Sequence, residues 1–231
     1  MASCYIVYCG VVSLFVVRFR CPPTSQHHYS RAASDVYKRQ PKSLSDSEAA
    51  ALPLTAITAW ELLFERLAIT RQLPDAKERS NDVILIVGAA GGVGSILVQL
   101  ASVLTGATVI ATASRESSAN WVKKLGADYV IDHSKPMQAQ IEQLDIGQVT
   151  HVASLTHTDS YLDSYIELLA PMGKIALIDD PKSVDISKLK QKSLSLHWEF
   201  MFTRSMFKVK DMIEQHHLLN RVSDLIDQGY I

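Results

Sequence analysis

Apolar residues in this chain follow two patterns that alternate from about residue 83 onward. Residues 83–87 are five consecutive aliphatic side chains, which is typical of a strand buried on both faces of a parallel sheet. The segments between the apolar runs have helical spacing, so strands and helices are expected to alternate. This order predicts an α/β fold with a doubly wound parallel sheet and right-handed crossovers. The other predicted strands are residues 108–112, 129–131, 149–154, 174–178 and 194–202.

A helical lead-in precedes the first strand. Ser45 and Glu48 have the spacing of a capping box that opens a helix. Pro53 is expected to restart the chain, and apolar residues then continue with helical spacing to about residue 69. Residues 71–82 are polar and predict a surface loop.

Small residues connect the first strand of the sheet to the following helix, in the order Gly-Ala-Ala-Gly-Gly-Val-Gly-Ser over 88–95. A strand, a glycine turn and a helix in this order can hold a pyrophosphate at the helix N-terminus. Gly91 would let the backbone approach phosphate, and Gly94 would let the helix pack closely on its strand. Ala89 stands where the fingerprint has its first glycine, and a tight packing corner without a ligand is the alternative. The flanking strand and helix favour nucleotide binding.

The end of the second strand indicates which nucleotide is preferred. A carboxylate about 20 residues past the glycines would select NAD, but residues 111–115 contain none. The Ser114 hydroxyl and the Arg115 guanidinium could instead bind a 2′-phosphate, so NADP(H) is favoured over NAD(H). The missing carboxylate also weighs against an S-adenosylmethionine site. In the alternative interpretation Ser114 caps the next helix and Arg115 is solvated.

Composition narrows the class of protein. The net charge is −1 with acids and bases interspersed, so no nucleic-acid partner is expected. All three cysteines lie within the first 21 residues, and disulfides are not expected to stabilise the rest of the chain. No apolar run reaches the ~18 residues of a membrane span. We expect a soluble, cytoplasmic protein with no membrane partner.

Residues 1–40 differ from the remainder in character. An apolar run at Tyr5–Val17 precedes a polar stretch at Thr24–Gln40. A secretory signal is an alternative, but the start lacks a basic region and no clear cleavage site follows. The string at Ser30–Gln40 resembles read-through sequence found at the ends of unrelated assembled reading frames. We expect residues 1–40 to be extraneous, as disordered or read-through sequence.

Several separated motifs resemble the medium-chain dehydrogenase/reductase superfamily, specifically zinc-type alcohol dehydrogenase-like proteins of its quinone-reductase-like branch. Residues 193–207 are similar to a stretch that is distinctive of that group. The resemblance covers residues 42–231 and implies a lead-in over 41–80 and a Rossmann nucleotide-binding domain over 81–231. It also implies that a GroES-like catalytic domain is missing and that the Rossmann domain is C-terminally truncated. The motifs are LPLTAITAWE at 52–61, GAAGGVGS at 88–95, KLGAD at 124–128 and LAPMGK at 169–174.

The resemblance implies cofactor contacts residue by residue. It implies 2′-phosphate contacts at Ser114 and Arg115, with Lys124 as a further candidate. His133 occupies a position where relatives often have a tyrosine near the adenosine phosphate. This substitution leaves the contact open and favours an exposed loop histidine. Thr58 matches a threonine that borders the nicotinamide. The implied pyrophosphate contacts are Ala90, Gly91, Gly92, Val93 and Gly94.

No zinc site is expected, despite the name of the group. Leu54 stands where zinc-dependent relatives have a cysteine ligand, and leucine cannot bind zinc. The histidines also show no metal-ligand spacing with a third donor.

The resemblance implies an NADPH-dependent oxidoreductase that transfers hydride to a quinone, an enal or another carbonyl acceptor without metal. The alternative is a non-catalytic nucleotide-binding fragment, and no catalytic residue is assigned. Strand 194–202 alternates apolar and polar residues, and the resemblance implies a homodimer paired through this strand. In the alternative monomer, a helix over 206–228, which can break near residues 216–220, covers the same edge.

Overall fold

Eight strands lie in the part of the chain that this computed structural model describes, residues 4–10, 13–19, 40–76 and 78–231. Six of them form one all-parallel sheet, and the first two pair antiparallel with each other. The strands are β1 Cys4–Gly10, β2 Ser13–Phe19, β3 Val83–Val87, β4 Thr108–Thr112, β5 Tyr129–Ile131, β6 Val149–Ser154, β7 Leu169–Leu177 and β8 Ser195–Trp198.

The parallel sheet has the order β5-β4-β3-β6-β7-β8. The chain starts in the middle at β3, winds outward to β5, returns to β6 beside β3, and winds outward again to β8. The direction of winding therefore reverses between β3 and β6. In sheets of this kind a crevice opens at the carboxyl ends of the strands on either side of the reversal, and ligands bind there. The sheet confirms the doubly wound α/β fold predicted from the sequence.

Helices connect the parallel strands. Helix α2, Gly92–Leu104, contacts β3 and β4, while α5, Thr158–Leu168, contacts β6 and β7. The helices are α1 Asp46–Trp60, a π-helix Glu61–Arg66, α2 Gly92–Leu104, α3 Glu116–Lys124, α4 Met137–Glu142, α5 Thr158–Leu168, a 3₁₀-helix Ile186–Lys192, α6 Thr203–Phe207 and α7 Glu214–Asp227. None of these helices is both long and apolar enough to span a bilayer.

Strand β3 is buried on both of its faces, as its continuous aliphatic sequence predicts. Val83, Leu85 and Val87 belong to a core cluster that includes residues of α4 and α5. Since side chains alternate along a strand, Ile84 and Ile86 face the opposite side of the sheet. Both of these isoleucines are fully buried.

The capping box at the start of α1 forms as predicted. The Ser45 backbone N–H donates to the Glu48 carboxylate (2.9 Å), and the Glu48 N–H donates to the Ser45 hydroxyl (3.4 Å). The expected restart at Pro53 is wrong, because α1 continues through this residue. Proline removes one helical hydrogen bond but does not prevent a helix whose later residues are buried, as Ala56 and Ile57 are.

Three predicted element bounds also differ from the structure. Strand β7 begins at Leu169, five residues before the predicted start, and pairs there with Val149 of β6. Strand β8 ends at Trp198 rather than at residue 202, because its partner β7 ends at Leu177, the residue that pairs with Trp198. The helix predicted over 206–228 is two helices, α6 and α7, separated by residues 208–213.

The chain divides into two compact units, residues 1–57 with 201–229 and residues 58–200 with 230–231. The parallel sheet lies in the second unit. Strands β1 and β2 lie within the segment expected to be extraneous, and most of the string at 30–40 lies outside the described residues. The predicted domain bounds and the read-through origin of residues 1–40 stay predictions.

Candidate active site

The turn after β3 is shaped by Gly88, which has a left-handed backbone with φ of +82°. Ala89 stands where the glycine fingerprint has its first glycine. The structure places the left-handed residue one position earlier, so alanine is tolerated at position 89. A Cβ at Gly88 would lie 3.2 Å from Cγ2 of Thr156, in the loop that follows β6.

Gly94 allows α2 to start very close to the end of β3. A Cβ at this position would lie 2.5 Å from the carbonyl oxygens of Gly88 and Ala89, which is too short for any side chain. The predicted packing role of Gly94 therefore has a geometric basis.

The N-terminus of α2 presents backbone N–H groups without a capping side chain. Gly91 is the N-cap residue, with extended φ and ψ of −76° and 179°, and it makes no side-chain cap. The first intrahelical bond runs from the Ser95 N–H to the Gly91 carbonyl (2.8 Å). The N–H groups of Gly92, Val93 and Gly94 consequently have no acceptor within the helix. This arrangement, at the positive end of the helix dipole, suits a phosphate.

The end of β4 lies beside this turn. The Gly88 N–H donates to the Thr112 hydroxyl (3.3 Å), which is buried. Ser114 and Arg115 follow on the exposed surface. Within the described part of the chain, neither of these two side chains forms a hydrogen bond or an ion pair. The N-cap residue of α3 is Arg115 and not Ser114, so the alternative role of Ser114 as a helix cap is wrong.

Lys124 lies at the other end of α3 from Arg115. The rise of an α-helix places their backbones about 13 Å apart along the helix axis. Trp121, one turn before the end of α3, donates its indole N–H to the Ser95 hydroxyl (2.9 Å) and so joins α3 to the first turn of α2. Ser114 and Arg115 thus follow the end of β4 that contacts the glycine turn, and Lys124 lies at the opposite end of α3.

His133 and Thr58 are the two remaining predicted contacts. His133 follows β5, and its ring is 6.5 Å from the ring of Tyr161 in an edge-to-face arrangement. The expectation of an exposed loop histidine is wrong, because the residue is half-buried against this tyrosine. Its Nδ1 is buried without a hydrogen-bond partner among the described residues. Thr58 is buried within α1.

A hydrogen-bond network that sequence reasoning missed supports the other side of the crevice. Asp179 accepts hydrogen bonds from the backbone N–H (2.8 Å) and the hydroxyl (2.5 Å) of Thr158 at the start of α5. The Ser154 hydroxyl, at the end of β6, is 2.7 Å from the Thr158 hydroxyl and 2.9 Å from that of Tyr165. Burial raises the pKa of Tyr165, so its O–H remains a donor. No local motif marks these residues, which lie up to 25 positions apart.

The network holds the loop between β6 and α5 beside the glycine turn. The Leu155 N–H donates to the Val87 carbonyl (3.1 Å), which continues the pairing of β6 with β3 one residue beyond the end of β6. His157 then adopts a left-handed backbone with φ of +53°, as the N-cap residue of α5. The two loops therefore border the crevice from both sides of the reversal point.

The described residues contain no group of three or more His, Cys, Asp or Glu side chains that could hold a metal ion. Leu54, at the position of the cysteine ligand in zinc-dependent relatives, lies within α1. The donor set of this part of the chain therefore does not fit zinc, and no step of the chemistry below involves a metal.

The sequence of the sheet domain matches a known family. Residues 92–215 match the model of a family described as zinc-binding dehydrogenase. A zinc-type alcohol dehydrogenase-like protein of Staphylococcus aureus (strain MSSA476) is 36% identical over 203 residues, which are 87% of this chain and 59% of that protein. The chain thus spans less than two thirds of the length of this curated relative.

Solved structures with similar folds include oxidoreductases. A protein from Rhizobium etli CFN 42, named as a zinc-dependent alcohol dehydrogenase, is 53% identical with a TM-score of 0.77, over 83% of this chain and 55% of its own. The quinone oxidoreductase of Escherichia coli, complexed with NADPH, is 25% identical with a TM-score of 0.68, over 83% of this chain and 56% of its own.

Replacing Gly94 tests the close approach between α2 and β3. We expect Gly94→Ala to lower the free energy of unfolding by about 1–3 kcal/mol, because its Cβ would overlap two carbonyl oxygens. Gly91→Ala is the matched control, since its added Cβ would have a single contact at 3.3 Å on an extended backbone. Urea unfolding followed by circular dichroism measures both variants. Equal stability of Gly94→Ala and the unmodified chain would contradict the geometry.

Proposed function

The chain belongs to the zinc-binding dehydrogenase family of the medium-chain dehydrogenase/reductase superfamily, and on this basis we propose that it binds NADPH. The observation that carries the proposal is the uncapped N-terminus of α2, with exposed glycines at positions 91 and 92. The exposed Arg115, which follows the adjacent strand β4, has no partner among the described residues. A pyrophosphate needs N–H donors and a close backbone approach, and this turn has both.

The pyrophosphate would be held by the backbone of Ala90–Gly94. Because Gly91 and Gly92 carry no side chain, nothing at these positions keeps the phosphate oxygens from the N–H groups. The exposed hydroxyl of Ser114 and the guanidinium of Arg115 would then bind the 2′-phosphate, since a guanidinium offers a planar pair of donors to phosphate oxygens. Lys124 contributes less to this contact in our proposal, owing to its distance from Arg115 along α3.

Two further predicted contacts extend the binding site. His133 has a buried Nδ1 without a partner in the described residues, and we place it near the adenosine phosphate. Thr58 borders the nicotinamide in this proposal. The E. coli quinone oxidoreductase, which is similar in fold, was solved with NADPH, which supports the choice of nucleotide.

The complete reaction that we propose is hydride transfer from NADPH to a quinone, an enal or another carbonyl acceptor. NADPH supplies the hydride, and the residues of this chain bind and orient it and keep water out of the crevice. The alternative is a binding module without turnover. The cytoplasmic location expected from the sequence stays a prediction.

We also propose a homodimer formed through the edge of the parallel sheet. Strand β8 is the last strand on one side of that sheet, and Trp198 within it is 52% exposed. The Glu199 N–H donates inward to the Leu177 carbonyl, so by alternation the N–H groups of Leu196 and Trp198 point away from β7. An edge of this kind can pair with its own copy across a two-fold axis.

Removing the guanidinium of Arg115 tests the choice of NADPH. A charge-assisted hydrogen bond contributes about 1.5–3 kcal/mol, so Arg115→Ala should narrow the preference for NADPH over NADH by roughly tenfold or more. Fluorescence titration of both nucleotides gives the two dissociation constants. Lys123→Ala is the matched control, and Lys124→Ala should have a smaller effect than Arg115→Ala. Equal affinity of the unmodified chain for NADPH and NADH would refute the 2′-phosphate site.

Turnover separates an enzyme from a binding module. We expect NADPH binding without efficient oxidation by this chain, because none of its described residues has an assigned catalytic role. The rate of oxidation is measured as the decrease in NADPH absorbance over time, with a panel of quinones and enals as acceptors. The NADPH concentration is set high enough to saturate the binding site. Steady oxidation well above the blank would instead establish the chain as an oxidoreductase in its own right.

Light scattering at low micromolar concentration tests the dimer. We expect the mass of two chains for the unmodified protein and of one chain for Trp198→Lys, because two like charges would face each other near the two-fold axis. Trp121→Lys is the matched control, since Trp121 is also partly exposed but lies on α3. A monomer mass for the unmodified chain would rule out the dimer.

A further inference from the structure

Two glutamates are almost completely buried in the unit that contains the parallel sheet. Glu61, the first residue of the π-helix, is 1% exposed, and Glu199, the residue after β8, is 2% exposed. Buried carboxylates are rare unless each has a partner, because removing the charge from water is costly. The binding of a nucleotide described above uses neither of these residues.

An arginine pairs with one of these two carboxyl groups. The Arg66 guanidinium donates from Nε to one carboxylate oxygen of Glu199 (2.8 Å), and the side chain of Glu199 is completely buried. The other oxygen, Oε1, is also buried and has no hydrogen-bond donor in the part of the chain that the structure describes. Glu61 also lies within hydrogen-bonding reach of Glu199, so this cluster brings two acids together beside Arg66.

The π-helix explains why Glu61 and Arg66 both reach Glu199. In an α-helix, residues five positions apart point in directions about 140° apart. In the π-helix, hydrogen bonds join residues five apart, such as the Leu67 N–H and the Leu62 carbonyl (2.9 Å). The wider turn brings residues 61 and 66 to nearly the same side of the helix.

The charges of this cluster favour one bound proton. Two ionised carboxylates can only accept hydrogen bonds, so they repel each other and leave Oε1 of Glu199 without a donor. One proton on the pair creates an O–H that donates from one carboxyl to the other. Burial, then the charge of Glu61 and a hydrogen bond with Glu61, raise the pKa of Glu199 to about 8, and Arg66 opposes this increase.

Two other titratable side chains, His197 and Lys174, lie near the cluster. Burial and the charges of Lys174 and Arg66 lower the pKa of His197 in β8. This histidine is therefore neutral at pH 7 and above. Lys174 donates its ammonium group to the Leu67 carbonyl (2.8 Å). A change in stability between pH 7 and 9 therefore does not arise from His197.

We propose that Glu61 and Glu199 share one proton and, together with Arg66, fasten the carboxyl end of β8 to the π-helix in a position that supports the bound nucleotide. The carboxyl ends of the strands in this half of the sheet border the crevice where dinucleotides bind. Glu61 and Glu199 are thus positioning residues, and loss of their proton loosens the end of β8. The effect on the nucleotide rests on the proposed NADPH binding.

The sign of the pH dependence follows from the raised pKa. The folded chain retains a proton that the unfolded chain releases near pH 4.5, so stability falls as the pH rises from about 4.5 to about 8. Glutamine at position 199 has the shape of a protonated glutamate and can both donate to Glu61 and accept from Arg66. Glu199→Gln should therefore fold, and its free energy of unfolding should not fall as the pH rises over this range.

Urea unfolding of the nucleotide-free chain at pH 5, 7 and 9 tests the shared proton. We expect the midpoint of the unmodified chain to fall between pH 5 and 9, and Glu199→Gln to be the more stable protein at pH 9. Glu61→Gln should behave in the same way. The exposed Glu167→Gln is the matched control and should follow the unmodified chain. Parallel pH profiles of Glu199→Gln and the unmodified chain would overturn the proposal.

NADPH titration between pH 7 and 9.5 tests the positioning role, in a range where the 2′-phosphate keeps its charge. The dissociation constant of the unmodified chain should rise by roughly fivefold or more over this range, and that of Glu199→Gln should stay nearly constant. If the affinities of the unmodified chain and Glu199→Gln for NADPH change with pH in the same way, the effect of the shared proton on nucleotide binding is refuted. The shared proton itself would then be decided by the unfolding measurement. Failure of the unmodified chain to bind NADPH at pH 7 would refute the proposed function, while the unfolding measurement would still decide on the proton.

Discussion

The close approach of α2 to the end of β3 is the constraint on which the nucleotide edge of this protein depends. Gly94 lies so near the carbonyls of Gly88 and Ala89 that only a residue without a side chain fits. This contact places the first turn of α2 directly above the carboxyl end of the most buried strand. The free N–H groups of the helix therefore open at the reversal point of the sheet, between β3 and β6.

Different interactions hold the two sides of this reversal point. On the β4 side, the contact of Gly88 with Thr112 and that of Trp121 with Ser95 join the glycine turn to the segment that carries Arg115. On the β6 side, buried hydroxyls and Asp179 fix the start of α5. The exposed Arg115 has no partner in the described residues, whereas the side chains of Thr112 and Trp121 on either side of it in sequence are hydrogen-bonded. A rigid frame with free donors at its surface is the arrangement expected of a binding site.

The name of the family refers to a metal, whereas the buried charged side chains described above are carboxyl groups and an arginine. The family is described as zinc-binding, but the described residues offer no donor set for a metal ion. The buried charge of this unit is instead a carboxyl pair with an arginine, Glu61, Glu199 and Arg66. Such a cluster responds to protons, so we expect pH to modulate the stability of this part of the protein.

The sequence by itself determined the order of strands and helices in the sheet domain. Five consecutive aliphatic residues can be buried on both faces only in the middle of a layered fold, and β3 lies there. The bounds of β3, β4, β5 and β6 agree with the prediction, because apolar runs and glycine turns are local signals. Candidate contacts in the glycine turn were likewise local, since a helix N-terminus and its preceding turn are contiguous in the chain.

Only the tertiary structure decided what depends on partners distant in sequence. The length of β8 is set by the end of β7, and the continuation of α1 through Pro53 accompanies the burial of the residues beyond it. The exposure of His133 depends on Tyr161, and the burial of Glu199 depends on a helix more than 130 residues away. Contacts between residues so far apart in the chain leave no periodic pattern in the sequence. The sequence therefore shows which groups are present but not which of them are in contact.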